Sequence, residues 1–119
     1  MFFMDQRTTI AALRKRVSNF RDERNWLKDS TPKNLAISIS VEAAELLDHF
    51  QWKTDEQIRE VVKDKAKRNQ VSDELADVLI LCLGFSDLMG VDISDAIEAK
   101  LRKAAEKYPV TKTPITAGL

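Results

Sequence analysis

Apolar residues return every three or four positions along most of the chain. Ile10, Leu13, Val17 and Phe20 make one such stripe, the period of a helix with one buried face. Thr8 or Thr9 is placed to cap it, and the pattern runs on towards Trp26 and Leu27. The stretch "KDSTPKN" breaks it. Thr31 followed by Pro32 is a start signal, because proline's missing N–H and fixed φ suit the first helical position. The helix that follows carries Leu35, Ile39, Leu46 and Phe50 and ends near "FQWKT". Thr54 and Gln57 have capping-box spacing and start a short charged helix. A longer helix is expected from roughly Lys67 to Met89. Val71, Leu75, Val78, Cys82 and Phe85 form one apolar row there, widened by Leu81 and Leu88. Such a helix is expected to be buried on much of its circumference. Gly90 suits its C-terminal cap. Asp92 or Ser94 opens a last helix, which Pro109 stops.

The expected fold is therefore all-α: one four-helix-bundle-like domain of about five helices over residues 1–110, with short connections. Residues 111–119 read as a flexible C-terminal tail. Composition agrees. Three glycines, three prolines and 32% charged residues suit helices better than a β-sandwich or a disordered segment. Nineteen basic residues balance nineteen acidic ones, which argues against nucleic-acid or anionic-membrane binding. No apolar run is long enough to span a bilayer, and "MFFMDQRTT" is too soon charged for a signal peptide. The cytoplasm is the expected compartment. Cys82, the single cysteine, sits in the apolar run "LILCLGF" and reads as an inert core thiol.

Four acids change this picture. "VEAAEL" sets Glu42 and Glu45 three apart, and "DELADV" does the same with Glu74 and Asp77. Residues three apart share a helix face. Glu42 shares a row with Leu35, Ile39 and Leu46; Glu74 with Val71, Val78 and Leu81; Asp77 with Leu81 and Leu88. These acids border or enter packing faces, where an ionised carboxylate without a partner costs several kcal/mol. Glutamates at this spacing usually face solvent, as expected for Glu98 and Glu106. The second pair is different, because the uncharged "VLILCLGF" follows Asp77. A hard divalent cation compensates such a group best, and all-oxygen ligation selects magnesium, manganese or calcium. A di-iron bundle would need a glutamate–histidine pair on each of two helices, and the chain has one histidine, His49. That residue reads as a polar boundary at the end of the second helix.

Magnesium held by carboxylates with open positions commonly handles phosphates. A carboxylate near the attacking water serves as base, and leaving phosphates need positive charge. Lys53, after the second helix, and Lys100, Lys103 and Lys107, on one side of the last, are the candidates. Trp26 and Trp52 near the ends of the first two helices are packing residues or stacking surfaces for a nucleobase; spacing does not separate the two.

The segments "NLAISISVEAAELLDHFQW", "DELADVLI" and "KLRKAAEKYP" resemble the MazG-like nucleotide pyrophosphohydrolases of the all-α NTP pyrophosphatase superfamily, over roughly Phe20 to Val110. The "W…PKNL…E..E…FQW" arrangement looks most like the dCTP pyrophosphatase branch. The resemblance implies magnesium-dependent cleavage, with Mn2+ a possible substitute, between the α and β phosphates of a nucleoside triphosphate, dCTP above others. Products would be the monophosphate and pyrophosphate, and the task nucleotide-pool house-cleaning. It implies Glu42, Glu45, Glu74 and Asp77 as metal ligands, with one of the first pair orienting the attacking water. Asn34, Lys53, Lys100 and Lys103 fall where family members contact substrate or phosphate, and Trp26 and Trp52 match aromatic positions around the base. Dimers or tetramers with shared sites are implied too, which the apolar "MFF" start and the wide apolar arc of the long helix fit.

Two positions depart from the pattern. Ala104 stands where the family often has asparagine, which removes a polar substrate contact. Leu81 stands where the dCTP branch often has tyrosine, which leaves room for other bases. A sibling activity on dUTP or a damaged nucleotide is the nearest alternative. A non-catalytic helical interaction or regulatory module that binds an ion structurally is the alternative of a different class.

Overall fold

A computed structural model describes residues 3–26 and 30–110 of the chain. The tail expected over 111–119, and the continuation of the first helix to Leu27, lie outside the described residues. After a single 3-10 turn (Met4–Gln6) come α1 (Ile10–Glu23), α2 (Pro32–Asp48), α3 (Asp55–Lys63), α4 (Lys65–Met89) and α5 (Ile93–Lys107). The described residues contain no strand, as the apolar period requires.

Side chains set the helix boundaries. Thr9 caps α1, its Oγ1 accepting from the Ala12 N–H at 3.1 Å. Thr31 caps α2 by accepting from Asn34 N–H at 3.1 Å, with Pro32 leading the first turn. At α3 both halves of the capping box form: Gln57 N–H donates to Thr54 Oγ1 (3.3 Å) and Thr54 N–H to Gln57 Oε1 (2.9 Å). Asp64 ends α3 and starts α4. Its N–H donates to Glu60 O at 2.9 Å while its Oδ1 accepts from Lys67 N–H at 3.0 Å. That double use makes the joint a single residue long and starts α4 two residues before the expected Lys67. Asp92 caps α5 by accepting from Asp95 N–H at 2.9 Å.

The first helix stops at Glu23, short of Trp26. Asn25 turns into the left-handed region (φ 59°), where asparagine is among the few side chains tolerated. At the end of α4, Gly90 takes φ 64°. Its N–H donates to Asp87 O (3.2 Å) and Val91 N–H to Ser86 O (2.9 Å), the bond pair of a Schellman motif.

α4 is the hub. α2 packs along it most extensively, and α1 and α3 also lie against it. Leu35 of α2 and Val61 of α3 are each 5% exposed. Gly84 of α4 is buried where α2 and α1 approach: a Cβ there would sit 3.7 Å from Leu35 Cδ1 and 3.6 Å from Arg21 Nη1. Arg14 ties α1 to the end of α4, its Nε donating to Asp87 Oδ1 at 3.1 Å.

The expected burial of α4 on much of its circumference is not reached within one chain. Leu75, Leu79, Ile80, Leu88 and Met89 are exposed, as are Ile37, Val41 and Leu47 of α2. Cys82 is half-buried rather than sealed. The reason is geometric. α5 carries no buried residue and makes no extensive contact with another helix, so α4 has neighbours on one side only. No helix is long and apolar enough to cross a membrane among the described residues.

The two glycines of α4 and its cap should respond oppositely to alanine. Gly90→Ala forces a Cβ into the left-handed region and should cost about 1 kcal/mol. Gly84→Ala meets only ordinary van der Waals distances and gains helix propensity, so it should be neutral or stabilising by up to ~1 kcal/mol. Urea unfolding of both variants at one protein concentration checks the signs.

Candidate metal centre and adjoining cleft

The packing of α2 on α4 brings the acid pairs together. Glu42 and Glu45 lie one turn apart on α2, and Glu74 and Asp77 one turn apart on α4. One carboxylate oxygen from each of Glu42, Glu45 and Glu74 lies within 4.8 Å of the others. Glu42 and Glu74 are half-buried and Glu45 is exposed. The Oε2 atoms of Glu42 and Glu74 are sealed from solvent and have no hydrogen-bond partner. Native proteins rarely leave a buried polar atom so.

Glu42 holds its proton tightly. Glu42 is raised from 4.5 to about 7. The largest cause is the hydrogen bond its protonated carboxyl donates to Glu45; burial, the Glu45 charge, a hydrogen bond with Glu74 and the Asp77 charge add to it. With all carboxylates ionised no such bond can exist, since each is acceptor-only. The partnerless oxygens and the raised value thus express one fact: these acids lack a positive counterpart. The donor set, oxygen atoms from facing helices, fits a hard divalent cation.

Asp77 is not part of the three-oxygen cluster. It borders, together with Glu42, a cleft of about 580 Å3 between α1, α2 and α4, within the usual range of about 300–1,000 Å3 for small-molecule sites. Leu13, Val17 and Phe20 of α1 line it, with Ile80 and Leu81 of α4. Trp26 closes one end, its ring edge-on to Phe20 at 5.6 Å between centroids. The Arg24 guanidinium lies 3.6 Å from the Phe20 ring centroid and holds that ring in place. The cleft therefore has an acidic end and an aromatic end.

The remaining candidates lie elsewhere in the single chain. Trp52 is 86% exposed beyond the end of α2 and is no part of the cleft. Lys53 folds back, its Nζ donating to His49 O at 2.6 Å. His49 itself caps α2, edge-on to Phe50, the boundary place expected of it. Asn34 occupies the first turn of α2, away from the cleft wall. Lys100 and Lys103 are exposed on α5, as are Glu98 and Glu106. The sequence reading gave no cleft role to Phe20 and did not single out Arg16, Arg21 or Ile80, which also line the cleft. Phe20 belongs to an apolar stripe and reads as core, yet it is exposed on the cleft. Arg21 carries no signal beyond standing one turn after Val17.

Residues 37–116 match the MazG-like family profile. The chain is 29% identical to dCTP pyrophosphatase 1 of Bos taurus over 109 residues, covering 92% of this chain and 64% of that protein. It is 30% identical to dCTP pyrophosphatase 1 of Homo sapiens over 108 residues, covering 91% and 64%. The chain thus spans somewhat less than two thirds of the curated relatives it matches. The crystal structure of a pyrophosphatase from Archaeoglobus fulgidus superposes with a TM-score of 0.72 at 43% identity, covering 81% of this chain and 88% of that one.

The raised Glu42 value has a definite sign for stability. A group whose folded value exceeds its unfolded one favours folding fully below the unfolded value, and that contribution is lost as pH rises through the folded one. Metal-free protein should therefore lose melting temperature between pH 4.5 and about 7. Glu42→Gln should flatten that fall. Melting curves across this range, in chelator and then in excess magnesium, check it: the ion should raise the wild-type midpoint most at the alkaline end, and the variant's less.

Proposed function

Because the chain belongs to the MazG-like family, we propose that it is a magnesium-dependent nucleoside triphosphate pyrophosphohydrolase. It cuts between the α and β phosphates, with dCTP the preferred substrate. The observation that carries this reading is the pair of sealed, partnerless carboxylate oxygens on facing helices, one of them from Glu42, which also lines a cleft with Phe20 and Trp26.

Glu42, Glu45, Glu74 and Asp77 would hold the ion. When bound, a divalent cation neutralises triphosphate oxygens and lowers the pKa of a bound water. The protein's residues do the rest. Glu45, the exposed member of the trio, orients the attacking water and takes its proton. Water oxygen bonds to the α phosphorus as the bond to the bridging oxygen breaks, and pyrophosphate leaves. The apolar wall of Leu13, Val17 and Ile80 keeps bulk water from the base, and Trp26 with Phe20 offers it aromatic surface.

Asn34, Trp52, Lys53, Lys100 and Lys103 belong to the same reading as substrate contacts. They do not reach the cleft of their own chain, so they act in an assembly. The exposed apolar arcs of α2 and α4 and the lightly attached α5 (Ile97 and Leu101 exposed) support a homo-oligomer, a dimer or tetramer, in which one subunit's lysines meet another's acids. The physiological task would be removal of unwanted nucleotides from the cytoplasmic pool. Leu81 lines the cleft where the dCTP branch often has tyrosine, and this favours a second reading: dUTP or a damaged base as substrate.

Purified protein with magnesium should convert dCTP to dCMP and pyrophosphate, without orthophosphate. Glu45→Gln and Asp77→Asn should each lower kcat by about 100-fold or more while keeping the helical circular dichroism. No product from any dNTP would leave the non-catalytic binding module standing. Light scattering coupled to gel filtration should give a mass at least twice that of one chain. Leu79→Glu, placing a charge on the open arc of α4, should shift it towards the monomer.

A further inference from the structure

Arg21 is the one charged residue buried among the described residues, 8% exposed. It lies on the wall of the cleft. Its Nη2 donates to Ser30 Oγ, whose hydroxyl in turn donates to Trp26 O at 2.7 Å. The other end of the fork, Nη1, lies over Gly84, close enough that a Cβ there would be 3.6 Å away. Among the described residues, no carboxylate forms an ion pair with it. A guanidinium cannot shed its charge and has five donors in a rigid plane. The Ser30 hydroxyl engages one of those donors, and the residue's place on the cleft wall leaves others for an occupant.

This is a costly thing to keep beside a cleft unless the cleft's occupant supplies the missing acceptors. Arg21 is tied through Ser30 to the Trp26 backbone, so it belongs to the aromatic end and not to the acid cluster. The occupant's part at that end is the base. An arginine fork reads two adjacent acceptors. Cytosine offers O2 and N3, and guanine offers O6 and N7. Uracil and thymine put an N–H donor at position 3, which faces the guanidinium's own donors. Adenine puts an amino group beside N7.

We propose that Arg21 is a specificity-determining residue that selects bases presenting two adjacent acceptors, cytosine foremost. The inference rests on the nucleotide reading of the cleft given above. Ser30 fixes one arm of the fork, and the other lies beside Gly84. It also opposes the dUTP reading that Leu81 supports.

The test compares kcat/KM for dCTP, dUTP, dTTP, dGTP and dATP, with magnesium, in the full chain and in Arg21→Lys and Arg21→Met. Wild type should favour dCTP over dUTP, and the variants should lose roughly 10- to 100-fold of that ratio. The loss should enter mainly through KM. A parallel loss of dGTP over dATP preference would assign the same fork to guanine. The inference is overturned if a folded variant keeps the wild-type ratios, or if wild type turns over dUTP as well as dCTP. Should both variants lose their helical signal, Arg21 is a structural strut and the inference fails. Quenching of tryptophan fluorescence by dCMP against dUMP reads the same preference without turnover. An inactive wild type that still prefers dCMP through Arg21 would sink the enzyme reading alone; equal binding of the two monophosphates would sink this one.

Discussion

The structure turns on a repulsion that its own packing creates. α2 and α4 press together through Leu35 and Gly84, and in doing so they hold three carboxylates within 4.8 Å. Two oxygens end up sealed without partners, and Glu42 keeps its proton to about pH 7. Helix packing opposes this frustration in the empty protein; a cation would relieve it. Stability and function are thus set against each other at one place, as is usual where a site stores unfavourable charge.

The same economy of elements shapes the rest of the molecule. Three helices packed on one hub, with α5 lightly attached, leave α4 covered on one side. The cleft on that side is walled by α1, whose stop at Glu23, followed by the left-handed Asn25, leaves Trp26 lining the cavity. Had α1 continued to Trp26, that ring would have continued the helix surface instead of ending the cleft. On the other side, the leucines of α4 remain open. A monomer rarely keeps so broad an apolar face, which is why the proposed assembly and the proposed active site are parts of one argument. In the proposed assembly, the lysines and Trp52, which do not line the cleft of their own chain, would meet the acids of a second chain.

Arg21 shows the same logic with the opposite sign. Glu42 and Asp77 on the cleft wall form no ion pair among the described residues, and neither does Arg21. On the proposed reading, a nucleotide carried with a metal ion would supply partners to both.

The helices and their caps were legible in the chain because they depend on neighbours three or four residues apart. Thr31–Pro32, Thr54–Gln57, Gly90 and Asp92 each act through bonds inside one turn, and the acid pairs are visible because three-residue spacing fixes a shared face. Family membership was legible through the same short segments. What no local pattern contains is which faces meet. The three-oxygen cluster, the burial of Arg21, the cleft-facing position of Phe20 and the open side of α4 all depend on how α1 and α2 cross α4. Those crossings rest on contacts such as Leu35 against Gly84, forty-nine positions apart in the numbering. Periodicity places a residue on a face; only packing between distant segments decides whether that face meets protein, ligand or water.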